Sequence, residues 1–292
     1  MLGEVAVLAK INVACLGLTR LDKQAAVEND EAHGAKRGTS KAPVNRMPGA
    51  EIAIDRIKQF HTKARAVCAG MTTQWGTDRR LLMNTLIGDF SGEINDIIYE
   101  HDQAVQEFVA QVSDYIAKAQ VNLGTYNVQP PTEDEVKHAF RLSFDLSPVP
   151  DVSAYSAPSD RSLEKQLKKQ FEENMQADFV NAQKDMFQRL AKPLDNMMER
   201  LAKYEDREAD KAKGIKVGHA DTFKSTLVTN VTDIGKIVRA SNVFNDPFIN
   251  SLAERLEAFE GIEHADLTNS KELRADMAKR AKDIRESLGG WL

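Results

Sequence analysis

One amphipathic run of about 50 residues, Arg161 to Lys213, constrains this chain more than any other feature. Leu163, Leu167, Phe171, Met175, Phe179, Ala182, Met186, Leu190, Leu194, Met197, Leu201 and Tyr204 follow one another in steps of three and four. That period lines one face of a helix and never alternates as a strand does. Unbroken, the helix is about 75 Å long at 1.5 Å per residue. It cannot bury such a stripe against itself, so partner helices must come from this chain or from another. Pro193 lies inside the run and predicts a kink or break near Ala191 to Lys192.

The bulk of the sequence narrows the class. With 292 residues the chain is long enough for one elongated domain or two smaller ones. Only 16 Gly and 9 Pro are too few turns for an all-β protein of this length. A net charge of -5 gives no general surplus of cations for nucleic-acid phosphates, so any such site must be local. Cys15 and Cys68 belong to no metal or redox spacing and read as small buried residues in a reducing compartment. No run reaches the roughly 18 apolar residues of a membrane span, and the start Met1-Leu2-Gly3-Glu4 lacks the basic residues of a signal peptide, so the cytoplasm is the expected location.

The expected fold is mainly α: an elongated helical bundle or long helical hairpin with a small two-stranded antiparallel β element. Residues 1–150 read as an N-terminal helical region, with 22–49 a long flexible loop. Residues 151–160 read as a linker and 161–292 as a C-terminal helical region. Two segments alternate as strands, Ile11 to Leu16 and Phe140 to Leu146, and are expected to pair with each other. Ile54, Ile57, His61, Ala64 and Cys68 share one face of a helix over 50–69. A second long helix is predicted from Asp78 to Asn122, with a stripe from Leu82 to Ile116. That stripe is expected to pack on the one that begins at Leu163. Thr132 to Glu135 has the form of a capping box, and Asn245-Asp246-Pro247 of a helix start.

Candidate chemistry is sparse. Gly34-Ala35-Lys36-Arg37-Gly38-Thr39-Ser40-Lys41 approaches a phosphate-binding loop, but the second Gly comes one residue early and Lys41 follows the hydroxyl residue instead of preceding it. The six histidines show no ligand spacing, and no nucleophile motif occurs. No catalytic residue, cofactor or metal is therefore expected. The candidate interaction residues are the basic clusters: Lys36, Arg37 and Lys41; Arg79 and Arg80; Lys165, Lys168 and Lys169. Most sit beside acidic residues, as on a solvated helix face.

Several segments carry a resemblance. They are Ile237 to Asp246, the leucine-rich helix after it, Lys271 to Asp276, the N-terminal strand with the Gly17 to Leu21 turn, and Phe140 to Phe144 before Pro148. Together they resemble an uncharacterised bacterial and phage family, a domain of unknown function often encoded near a MoxR-type AAA+ ATPase and a von Willebrand A-domain protein. The resemblance implies no catalytic residues. It does imply a phage or bacterial origin and one of those two proteins as a partner. The leading expectation is a non-enzymatic scaffold or adaptor. The second is a nucleic-acid-associated phage protein with a local basic surface, and the third an enzyme with an unrecognised site.

Overall fold

A computed structural model describes residues 2–150, 161–214, 226–242 and 246–291, and over them the chain is mainly helical. In chain order the elements are β1 (Ala6–Ala14), β2 (Thr19–Leu21), α1 (Lys23–Ala32), β3 (Pro43–Asn45), α2 (Glu51–Met71), β4 (Thr73–Trp75) and β5 (Arg79–Met83). Then come α3 (Ile87–Ala110), α4 (Val112–Leu123), α5 (Glu133–His138), β6 (Arg141–Pro148) and the long α6 (Arg161–Ala212). The chain continues with α7 (Thr226–Ser241), α8 (Pro247–Glu257), α9 (His264–Asn269) and α10 (Lys271–Ser287). These group into two units that interleave along the sequence. The first holds Met1–Lys10, Ala69–Gly88 and Leu146–Leu292, and the second Ile11–Cys68 and Asp89–Asp145. The units are thus not the two halves expected on either side of residues 151–160, and that segment lies outside the described residues.

In the first unit, β1 pairs antiparallel with β5 from Ala6↔Met83 to Ala9↔Arg80, and β5 with β4 from Thr73↔Leu81 to Trp75↔Arg79. Ala6, Leu8, Trp75, Leu81 and Met83 bury one cluster with Ala182 of α6. Farther along, α6 packs on α7 and α10. Its Met186, Phe187, Leu190, Leu194, Met197 and Leu201 meet Val231, Val238, Leu252, Met277 and Ile284 in the main helical core. Helix starts are fixed locally. Asp246 accepts hydrogen bonds from the amides of Phe248 (2.8 Å) and Ile249 (3.2 Å) with Pro247 in the first turn, and Ser270 accepts one from Leu273 N–H (3.1 Å).

The second unit is built on α2, α3 and α4. Met47, Ala50, Ile54 and Ile57 bury against Ala104, Phe108, Val112 and Val136. Phe108 stands edge-on to Phe140, with ring centroids 5.6 Å apart. The β2–β3 hairpin pairs Thr19 with Asn45 and Leu21 with Pro43. Arg46, just past β3, is buried and forks onto Glu135 of α5 at 2.6 and 2.9 Å, while its Nε donates to Gln129 O (3.2 Å). Thr132 caps α5 through Glu135 N–H at 3.1 Å, as its sequence predicts. β6 lies next to β1, and Asn12 Nδ2 donates to Asp145 at 2.6 Å.

Several expectations need correction. The sheet has four strands in the order β4-β5-β1-β6, with β2 and β3 forming a separate pair, so the β element is larger than two strands. Residues 79–83 are strand and not helix: Leu81, Leu82 and Met83 are all buried, and pairing on both sides of β5 overrides their helical spacing. The long stripes find partners inside the unit that each belongs to. That of α6 finds α7, α10 and β4, and that of α3 and α4 finds α2, each within its own unit. α6 runs through Pro193 without a break. Residues 22–49 hold α1 and β3 where composition predicts a loop.

Candidate functional site

Asp22 caps α1, accepting from the amides of Gln24 (2.9 Å) and Ala25 (3.0 Å), and its second oxygen accepts from Asn127 N–H (2.6 Å). One helix length on, Asp30 is the buried residue of α1. Its Oδ2 accepts from the amides of Gly38 (2.7 Å) and Thr39 (3.2 Å), and Oδ1 from that of Ser40 (2.8 Å). Gly38 turns at φ +89°, a conformation that side chains disfavour, and so aims the three consecutive amides at one point. Consecutive amides converging on an anion are the physical basis of a phosphate loop. Here the anion is the chain's own carboxylate. Hydrogen bonds from Ser40, and then from Gly38 and Thr39, hold Asp30 below the usual carboxylate range. A phosphate would have to displace a tethered carboxylate of like sign.

The basic residues on this loop remain at its rim. Arg37 pairs with Glu31 at 2.6 Å, and Lys36 and Lys41 are exposed. Lys41 and Lys23 flank a cleft of about 260 Å³ floored by Leu21, Ala26, Val27 and Ala42.

Arg79 and Arg80 have structural work. Arg80 donates through Nε to Thr72 Oγ1 (2.6 Å), through Nη1 to Gln74 Oε1 (2.9 Å) and through Nη2 to Thr72 O (3.1 Å), and faces Asp185 of α6 at 3.6 Å. Asp185 also accepts from Gln74 N–H (3.1 Å), and Arg189 donates to Thr72 O (2.6 Å). Burial pushes the Arg189 pKa down. This group clamps α6 to edge strand β4. Arg79 donates to the Ser147 hydroxyl.

Lys165, Lys168 and Lys169 lie in the first turns of α6. Lys168 pairs with Glu164 at 2.5 Å and Lys169 with Glu173 at 3.7 Å. Lys165 is exposed and makes no ion pair among the described residues. With Arg161, Glu164 and Glu172 the three lysines line a groove of about 600 Å³. Beside it the apolar row changes character. Leu163 is 46% exposed, Leu167, Phe171, Met175 and Phe179 are half-buried, and full burial begins at Ala182.

The structure also joins two residues that spacing could not. His61 of α2 and His101 of α3 are buried, with their Nε2 atoms 3.2 Å apart, and His101 Nδ1 lies 2.9 Å from Asp102 Oδ1. His61 sits at a core phase of its helix, and so does His101 between Ile97 and Ala104. That phase was the available signal; the 40-residue separation hid the pairing. Buried Arg274 is spent on Glu205 (2.5 Å) and on the carbonyls of Leu267 (2.7 Å) and Thr268 (3.0 Å), above the Tyr204 ring.

Among the described residues, no three His, Cys, Asp or Glu side chains are grouped so as to hold a metal ion, and no helix is long and apolar enough to cross a membrane. Compared with protein-family models, curated proteins and solved structures, the chain matches none.

Proposed function

We propose that this chain is a non-enzymatic, cytoplasmic scaffold or adaptor of phage or bacterial origin, which offers the first turns of α6 to a protein partner. The observation that carries this reading is the change of character along one continuous helix. From Ala182 onward its stripe is core, and Met175 and Phe179 pack on the sheet cluster, whereas over residues 161–171 a partly exposed apolar row runs beside Arg161, Lys165, Lys168 and Lys169. An apolar row edged with cations suits an amphipathic, acidic-faced helix of another protein, which would take anchors at i, i+4 and i+8. Glu164 and Glu172 interrupt the basic groove, and regularly spaced carboxylates disfavour a nucleic-acid backbone there. The buried charges support the same reading: Asp22, Asp30, Arg46 and Arg274 are each engaged in holding backbone. The resemblance found in the sequence points to the neighbouring AAA+ ATPase or von Willebrand A-domain protein as the partner.

The test is a triple charge reversal, Lys165→Glu, Lys168→Glu and Lys169→Glu. Exposed helix pairs contribute about 0.3–0.5 kcal/mol each, so the variant keeps its circular dichroism and melts within a few degrees of the wild type. It loses co-purification with the encoded AAA+ or von Willebrand A-domain protein. Unchanged co-purification removes this face from the proposal. Salt-sensitive binding of a DNA duplex, abolished by the same reversal, would favour the nucleic-acid reading instead.

A further inference from the structure

The His61–His101 pair lies in an apolar setting between α2 and α3. Ile57 and Ala64 flank His61 on α2, and Ile97 and Ala104 flank His101 on α3; all four are buried. The ring centroids are 5.2 Å apart and the planes tilted by 34°. An ionised carboxylate only accepts hydrogen bonds, so Asp102 fixes the hydrogen of His101 on Nδ1. Neutral His101 then has a bare Nε2, and the hydrogen between the rings belongs to His61 Nε2. The arrangement is a relay of defined direction, from His61 Nε2–H to His101 Nε2 and from His101 Nδ1–H to Asp102.

We infer that this pair is a proton-operated latch, which holds α2 against α3 while both rings are neutral and releases them on acidification. A first added proton must go to His61 Nδ1. The bond between the rings survives whichever ring keeps the shared hydrogen: the charge rests on His61 near Arg65 or, with that hydrogen passed to His101 Nε2, beside Asp102. Asp102, the carboxylate on α3, touches the far side of the other ring. A second proton leaves a hydrogen on both Nε2 atoms. Two N–H groups then point at each other across 3.2 Å, and the bond becomes a repulsion. Two ion pairs join the same helices at their exposed rims, Lys63–Glu100 at 3.2 Å and Arg56–Glu107 at 2.6 Å. Burial, followed by His101 and Arg65, already pushes His61 below the ordinary imidazole value.

Hydrogen exchange of the full chain at about pH 7.5 and 5.5, corrected for intrinsic rates, tests the latch. In the wild type, protection within α2 and α3 falls about tenfold or more at the lower pH, while α10 stays unchanged. In the His61→Leu/His101→Leu variant, which has no proton to gain, the difference disappears. Nitrogen-15 spectra of the histidine rings in the wild type supply a second reading that does not depend on the variant folding. They show His61 protonated at Nε2 and His101 at Nδ1 near neutral pH. Equal acid sensitivity in both proteins, or a cationic ring at neutral pH, overturns the inference. So does stoichiometric Zn²⁺ raising the wild-type Tm but not that of the double variant, since the pair would then be metal ligands.

Discussion

Asp30 is a turn-former, with both carboxylate oxygens held by the amides of residues 38–40. Its carboxylate is the anion around which residues 38–40 are folded, so removing its charge removes the loop's template. Asp30→Asn turns an amide donor towards amides that already donate. We expect residues 36–42 to lose exchange protection while the α10 amides keep theirs, which hydrogen exchange with mass spectrometry resolves. The acid limb of stability has two stages. His61 has a lowered folded pKa, so the unfolded chain binds the extra proton and stability falls as pH drops below about 6.5. Asp22, Asp30 and Glu135 are also held low, by Ala25 N–H, Ser40 and Arg46 in turn. Their contribution is complete above the ordinary carboxylate range, near 4, and is lost as pH falls through their folded values. Chemical denaturation across pH should therefore show a decline beginning near 6.5 and a steeper one below about 4. A single transition below pH 4 would mean that the histidines do not titrate with folding.

Helices were the legible part of this sequence, because a 3.6-residue period needs only local information. α2 and α6 stand within a few residues of where their stripes put them, and Thr132 and Asp246 cap α5 and α8 where their sequence predicts. β4 and β5 were not legible. Five residues such as Arg79–Met83 fit a helix as well as a strand, and their partners lie some seventy residues away in β1. α1 was hidden by composition, since Asp30 is its one buried residue and its apolar stripe is weak. Of the candidate site residues, exposure of Lys36, Arg37 and Lys41 could be foreseen, but the clamp role of Arg80 depends on Asp185, which sequence spacing does not reveal. Packing between elements makes its own prediction at Gly235 of α7, where an added Cβ would meet Leu256 Cβ of α8 at 3.4 Å. Gly235→Ala should be close to neutral, its helix gain of about 1 kcal/mol offset by the tight contact. Gly235→Val should cost about 1–3 kcal/mol by overpacking. Leu194→Ala, fully buried in α6, should cost about 2–5 kcal/mol. Urea melts of the three variants read these values directly.

The two units of the molecule are threaded through one another in sequence, which determines what can be cut out. A fragment of residues 161–292 contains the whole helical core of the first unit but none of β1, β4 and β5. It would leave Ala182 and the half-buried Met175 and Phe179 without their sheet, and Asp185 and Arg189 without Thr72, Gln74 and Arg80. We expect that fragment to bind a hydrophobic dye and to melt well below the intact chain, and co-expression with residues 1–150 to reverse both effects. A fragment as stable as the whole would show that the sheet contributes little to this unit. The same threading gives synthesis a timetable. Every residue of the second unit has been made once Asp145 is added, whereas β1, made first, belongs half to a unit whose helices come last. At about 5–20 residues per second, that half-strand and β5 wait on the order of ten seconds for α6 to α10. During that interval a nascent chain carries one finished body and one exposed ribbon, which makes the early β segment the place where a chaperone has something to hold.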